Sequence, residues 1–242
     1  MIATKLLYLE KFTLLEALSL VESVIEEDGK TVIVLNETIF YPQGGGQPYD
    51  TGVIDSPAGR FLVEEVRFAD GAVRHIGRFE SGGFAPGERV MCRVDASRRM
   101  LNARIHSAGH LVDRAVAELN LPWRPGKGYH FPNGPYDEYE GVLEGLDKEE
   151  VKNDLEAVCN RYVSEGGRTE VIFMTRDGMQ ATCRYIPDFP IEKGERARVV
   201  VHGGFSMPCG GTPVADAREI GPITIRKIKQ EGAKIRVGYD IG

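Results

Sequence analysis

Two histidines and a distant cysteine carry the strongest chemical signal in this chain. His106 and His110 sit in the run RIHSAGHLVDRAV, four residues apart. On a helix that spacing puts both imidazoles on one face, where they can grip one ion. Cys209 follows much later, in SMPCGGTPV. Its thiolate would complete three ligands of a tetrahedral site, and a catalytic zinc keeps the fourth position open for water. The bland alternative is one core histidine, one surface histidine and a buried, inert cysteine. The small residues between the histidines, Ser107, Ala108 and Gly109, point to something approaching this face closely. His75, His130 and His202 have no partner spacing and read as surface or edge residues.

A second chemical signal is the segment Tyr41-Pro42-Gln43-Gly44-Gly45-Gly46-Gln47-Pro48. Successive glycines free the backbone and expose amide N–H groups that can approach a phosphate or an ester carbonyl. Gln47 adds an amide that both donates and accepts. The alternative is a plain turn between strands. Cys209-Gly210-Gly211-Thr212-Pro213 forms a tight turn suited to presenting a thiolate.

These residues need elements to position them. Residues 1–94 read mostly as short strands: TLLEALSLVESVIEEDG, whose mixed periodicity leaves a helix as the alternative, then TVIVLNETIFY, TGVID, FLVEEVRF, AVRHIGRF and ERVMCRVD, parted by turn residues. Such spacing predicts a small barrel or curled sheet. At Asp95 the pattern changes to helical, with a capping aspartate and apolar residues through Val116. WRPGKGYHFPNGPYDEYEG reads as loop or edge strand, and DKEEVKNDLEAVCNRYVSEG as a helix. TEVIFMTR and GERARVVVH read as strands, and ITIRKIKQEGAKIRVGYDI as a hairpin. The expected architecture is α+β, divided into residues 1–94 and 95–242.

The 242 residues carry 30 Lys and Arg against 36 Asp and Glu, a net charge of −6. That excludes a generic polyanion binder but not local docking of phosphates. Arg93, Arg98, Arg99 and Arg104 form one basic cluster, and Arg226, Lys227, Lys229, Lys234 and Arg236 another; a solvated face is the alternative for each. Arg104, the member closest to His106, is a candidate substrate-binding residue. Four scattered cysteines argue against a disulfide framework and for a cytoplasmic setting. No run has membrane-spanning length, and the N-terminus lacks a signal-peptide core.

Taken in order, TIFYPQGGGQP, DASRRMLNARIHSAGHLV, PCGGTPV and a basic hairpin resemble the AlaX family of alanyl-tRNA editing proteins, from about Thr38 to the end. The resemblance implies an N-terminal β-barrel-like, glycine-rich domain followed by a zinc-binding α+β editing domain. It implies hydrolysis of the ester in mischarged tRNA(Ala), chiefly seryl-tRNA(Ala), with glycyl-tRNA(Ala) as the other substrate. His106, His110 and Cys209 match three zinc ligands. Thr38 and Gln47 match catalytic and substrate-sensing positions, and Gly44, Gly45 and Gly46 the substrate-binding loop. Pro213 stands where the family has its fourth ligand. Three outcomes stay open: three protein ligands and a water, a substitute such as Asp216 or His202, or weak metal binding. Other readings are a non-catalytic module binding tRNA or an aminoacyl ligand, and a metallohydrolase acting on a small aminoacyl substrate. The chain stops soon after the hairpin, so the tRNA body is expected to be read by these two domains, in a monomer or weak dimer.

Overall fold

The computed structural model describes residues 3–186 and 195–242. Packing divides the chain into two compact units. One comprises residues 1–44 and 48–101, the other residues 45–47 and 102–242. Packing places the break inside the helix that follows the last barrel strand and gives Gly45–Gln47 to the second unit.

The first unit opens with β1 (Lys5–Leu6) and a one-turn helix α1 (Leu7–Glu10), which the sequence did not signal. Next come β2 (Glu16–Glu27), β3 (Lys30–Leu35) and β4 (Glu37–Thr38), then β5 (Gly52–Ser56), β6 (Gly59–Ala69), β7 (Ala72–Gly82) and β8 (Arg89–Val94). Six of these close a barrel in the order β2-β3-β7-β6-β5-β8. Every neighbouring pair is antiparallel. Closure removes the exposed edges that short strands would otherwise present. Phe61 and Val63 on β6 point inward, and an irregularity between Val63 and Glu65 shifts the inward phase to Val66. Ile33, Leu35, Phe40 and Ile54 fill the remaining interior.

His75 belongs to that interior, which corrects its expected surface placement. On β7 the inward phase is Val73, His75 and Gly77, and His75 pairs with Ile33. It has no exposed surface. Burial pushes its pKa down to about 4, against a partial upward pull from Ile33. Between about 4 and 6.5 the unfolded chain therefore binds the proton and the folded chain does not. The stability is complete above 6.5 and is lost as pH falls toward 4. Lowering the pH from 7 to 4.5 is expected to cost roughly 2–3 kcal/mol through this residue. Urea unfolding at both pH values, for the wild type and His75→Gln, checks this. Equal pH dependence in the two proteins would rule it out.

The first basic cluster is largely spent inside the same unit. Arg99 is buried and ion-paired with Asp50, and also donates to the Ile39 and Phe12 carbonyls. Arg93 pairs with Asp55 and Glu16, and Arg98 donates to the Tyr49 carbonyl.

Helix α2 (Ala96–Glu118) begins in the first unit and continues through the second. The second unit then runs β9 (Arg124–Tyr129), β10 (Tyr136–Glu140), α3 (Lys148–Glu165), β11 (Thr169–Met174), α4 (Arg176–Thr182), β12 (Ala197–His202) and β13 (Phe205–Pro208). A 3-10 turn at Ala217–Ile220 leads to the hairpin β14 (Ile223–Glu231) and β15 (Lys234–Ile241). Gly194, the first residue of the run read as the β12 strand, lies outside the described residues. The sheets are β14-β15-β10-β9 and β11-β12-β13. The stretch read as loop or edge strand therefore contains an edge strand, β9, and an inner strand, β10. Neither α4 nor β13 was anticipated.

Helix α3 shows why the sequence was readable there. Asp147 accepts hydrogen bonds from the Glu149 and Glu150 amides, and Gly166 ends the helix at φ 71°. Val151, Leu155, Cys159 and Tyr162 form its buried stripe, packed in one core with Leu111, Val112 and Ile225. Among the described residues no helix is long and apolar enough to cross a membrane.

Candidate metal centre and pocket

His106, His110 and Cys209 come together in the second unit. One ligand atom from each lies within 4.8 Å of the others, and among the described residues they form the one such group. His106 Nε2 is 3.3 Å from Cys209 Sγ. The helical spacing brings the two rings to 5.0 Å, nearly perpendicular. Cys209 follows β13, and its N–H donates to the Arg198 carbonyl on β12.

Gln47 fixes the state of His106. Its Oε1 accepts from the Thr212 amide at 3.1 Å and meets His106 Nδ1 at 2.8 Å. Its amide nitrogen donates to Thr212 Oγ1 at 2.8 Å. A carbonyl oxygen only accepts, so His106 carries its proton on Nδ1 and presents a bare Nε2 toward Cys209. A metal-binding imidazole needs that tautomer, held by that kind of partner. Burial, with Arg198 adding to it, lowers the His106 pKa to about 4. Burial also takes His110 to about 4, against the opposing pull of Cys209. Both rings are therefore neutral at pH 7. Burial opposes ionisation of the Cys209 thiol, but His110, Arg198 and the Gly211 N–H together draw it below its ordinary value. Two neutral imidazoles and a thiol disposed to ionise can hold a metal ion. His110 Nδ1 is buried without a partner, which fits a group arranged for a ligand.

Gln47 itself has no exposed surface and both ends of its amide are occupied. Its amide serves His106 and Thr212. The glycine loop around it is equally specific. Gly45 and Gly46 have φ of 51° and 76°, the signature of a tight turn that disfavours side chains. The Gly46 carbonyl accepts from the His130 amide at 2.8 Å. A Cβ at Gly46 would collide with the Gly128 carbonyl, and one at Gly211 with the His106 ring. Gly44 faces no such obstacle.

The cluster opens on a cavity of about 210 Å³ lined by Gly45, His106, His110, His130, Asp137 and Cys209. His130, expected at the surface, is buried and stacks on His106 at 4.4 Å. Tyr239 donates to the Ile105 carbonyl, so its hydroxyl accepts from His130 Nδ1 at 2.7 Å. His130 Nε2 is left unprotonated, 3.9 Å from Asp137. Burial raises the Asp113 carboxyl to about 7, and burial with the neighbouring Asp113 raises Asp137 well above its ordinary range. Asp137 Oδ2 is buried with no partner. No sequence spacing signalled this carboxyl pair, because Asp113 comes from α2 and Asp137 from β10.

Arg104 donates to the Ile220 and Gly242 carbonyls. A separate basic cavity of about 270 Å³ lies among Arg226, Lys227, Lys229, Arg236 and Tyr136. Thr38 is fully buried in the first unit. His75 Nδ1 donates to the Ile33 carbonyl at 2.9 Å, so the Thr38 hydroxyl donates to His75 Nε2 at 2.8 Å. It also accepts from the Phe40 amide at 3.1 Å, which leaves one lone pair.

Known proteins match this arrangement along the chain. The family model for class II (A) tRNA synthetases matches residues 7–98. The alanine–tRNA ligase of Methanobrevibacter smithii is 30% identical over 99% of this chain, and that of Methanothrix thermoacetophila 34% identical over 87%. The chain spans about a quarter of those ligases, 27% and 23% of their lengths. The alanyl-tRNA editing protein AlaX-M of Pyrococcus horikoshii is 30% identical across 94% of this chain and 91% of its own length. Likeness of that extent, end to end, places the chain in the AlaX family of alanyl-tRNA editing proteins.

Proposed function

We propose that this chain is a trans-editing hydrolase that cleaves the aminoacyl ester of mischarged tRNA(Ala), chiefly seryl-tRNA(Ala) and also glycyl-tRNA(Ala), with zinc as its metal. The observation that carries the reading is the Gln47-locked His106 beside His110 and Cys209, at the wall of a pocket. When bound, zinc supplies Lewis-acid charge worth several kcal/mol toward negative oxygen in the transition state. The chain's own groups do the rest. Gln47 holds the proton on His106 Nδ1. Cys209 and His110 complete the donor set. The Gly45–Gly46 turn brings backbone rather than side chains to the pocket edge, so an ester can approach closely. His130 presents an unprotonated Nε2 at the pocket. The unsatisfied Asp137 oxygen suits the free ammonium of an aminoacyl group, whose charge would let that carboxyl ionise in place. The basic cavity of the C-terminal hairpin offers a dock for phosphates.

Elemental analysis of the purified protein, run beside hydrolysis of seryl-tRNA(Ala), tests the reading. About one zinc per chain with hydrolysis is the expected result. Neither metal nor hydrolysis would favour the non-catalytic binding module, a reading that Pro213 supports. Hydrolysis of small seryl esters, with tRNA affinity insensitive to salt, would favour a metallohydrolase without a nucleic-acid substrate.

Serine selectivity is assigned to Thr38 through its remaining lone pair, which would accept from the substrate's hydroxyl. Thr38→Val is expected to lower the ratio of seryl to alanyl ester hydrolysis about tenfold, the value of one hydrogen bond. An unchanged ratio would remove Thr38 from substrate recognition.

A further inference from the structure

We propose that His202 supplies the fourth ligand of the metal cluster, in place of the one that Pro213 cannot give. The inference rests on the cluster being a metal site at all. Proline has no side-chain donor, so position 213 contributes nothing to an ion held by His106, His110 and Cys209.

His202 ends β12 and Phe205 opens β13, and the two pair across a Gly203-Gly204 turn. The same hairpin delivers Cys209 at its far end. His202 is thus carried on the element that presents the thiolate. Its ring is 2% exposed. Nδ1 meets Thr169 Oγ1 at 3.0 Å, while Nε2 is buried with no partner. One nitrogen oriented by a neighbour and the other bare is the arrangement of a ligating histidine, and His106 shows it with Gln47. A buried imidazole nitrogen left without a partner carries a desolvation cost that a metal bond would remove.

Ring spacing discriminates among the neighbours. Two imidazoles on one tetrahedral zinc, each bound at about 2.0–2.1 Å, place their ring centres about 5.2 Å apart. His106 and His110 are 5.0 Å apart, and His110 and His202 are 5.4 Å apart, both pairs steeply inclined. His130 fails the same comparison: it stacks on His106 at 4.4 Å with the planes only 26° apart. His202 lies outside the group of atoms within 4.8 Å of one another. Its Nε2 has no hydrogen bond to give up on approaching the ion. The complete set is three imidazole nitrogens and one thiolate.

Cobalt titration of the metal-free full chain, followed by visible absorption, reads the coordination directly. The wild type is expected to show the intense absorption of a four-coordinate site. His202→Ala is expected to bind cobalt at least about tenfold more weakly with a weaker spectrum, and His202→Ala with Pro213→His to regain both. Thr169→Val leaves His202 in place but releases its ring, so about tenfold weaker binding is expected even if His202→Ala does not fold. Wild-type affinity and spectrum in both His202→Ala and Thr169→Val would overturn the assignment. A wild type that binds no cobalt would overturn the cluster itself, and the assignment with it.

Discussion

Cys209→Ala is expected to release the metal and to abolish hydrolysis of seryl-tRNA(Ala) beyond the background rate. The thiolate is the one negatively charged donor in a group otherwise made of neutral imidazoles, both near 4 in pKa. Its removal takes away a bond and the charge that balances a divalent cation. Loss of a mere supporting hydrogen bond at a metal site costs about 10–100-fold, and loss of the ligand should exceed that. The fold should survive, because Cys209 is only half-buried and lies outside the hydrophobic cores. Metal content, melting temperature and deacylation measured on one preparation check the prediction. Full zinc with full activity in Cys209→Ala would exclude the cluster as the seat of the chemistry.

Gly46→Ala is expected to be strongly damaging, and Gly44→Ala, two residues away, close to neutral. At Gly46 the added Cβ meets the Gly128 carbonyl, which is backbone, and the residue must also hold φ 76°. At Gly44 the nearest atom is the Tyr41 hydroxyl at 3.8 Å, ordinary van der Waals contact. The first substitution is expected to cost about 2–4 kcal/mol through overpacking and strain, the second less than about 0.5 kcal/mol. The loss should reach activity too, since Gly46 precedes the amide that fixes His106. Denaturation midpoints of the two variants decide the matter; equal midpoints would show that the turn yields freely.

These contrasts also mark where sequence reasoning succeeded. The helix carrying His106 and His110 was legible because its apolar spacing is helical and an aspartate precedes it. Helix α3 was legible from its cap, stripe and terminal glycine. Barrel strands showed through alternation. The errors share one cause, which is that burial is a tertiary property. His75 sits in an alternating strand whose outward phase carries Ile76 and whose inward phase carries a polar residue, so the pattern did not declare which face was interior. His130 and His202 lie at strand or turn ends with no periodic context, and only packing against α2 brings them beside His106 and His110. Gln47 showed in the sequence as an amide beside a glycine run, with no sign of the group it meets. The fold instead tucks the amide behind a histidine fifty-nine positions further along. The short strand β13 was hidden by the turn residues around it.

The placement of Gly45–Gln47 limits how this protein can be divided. Three residues embedded in the barrel's stretch of sequence belong by packing to the other unit. A polypeptide beginning at Asp95 would contain all three candidate ligands and lack the amide that sets the tautomer of one of them. Thr212 would lose both of its hydrogen bonds to Gln47, and the His130 N–H would lose its acceptor. The half that holds the candidate ligands is therefore not an exchangeable cassette. Recombination at the apparent boundary would carry the candidate ligands across without the Gln47 amide that aligns His106.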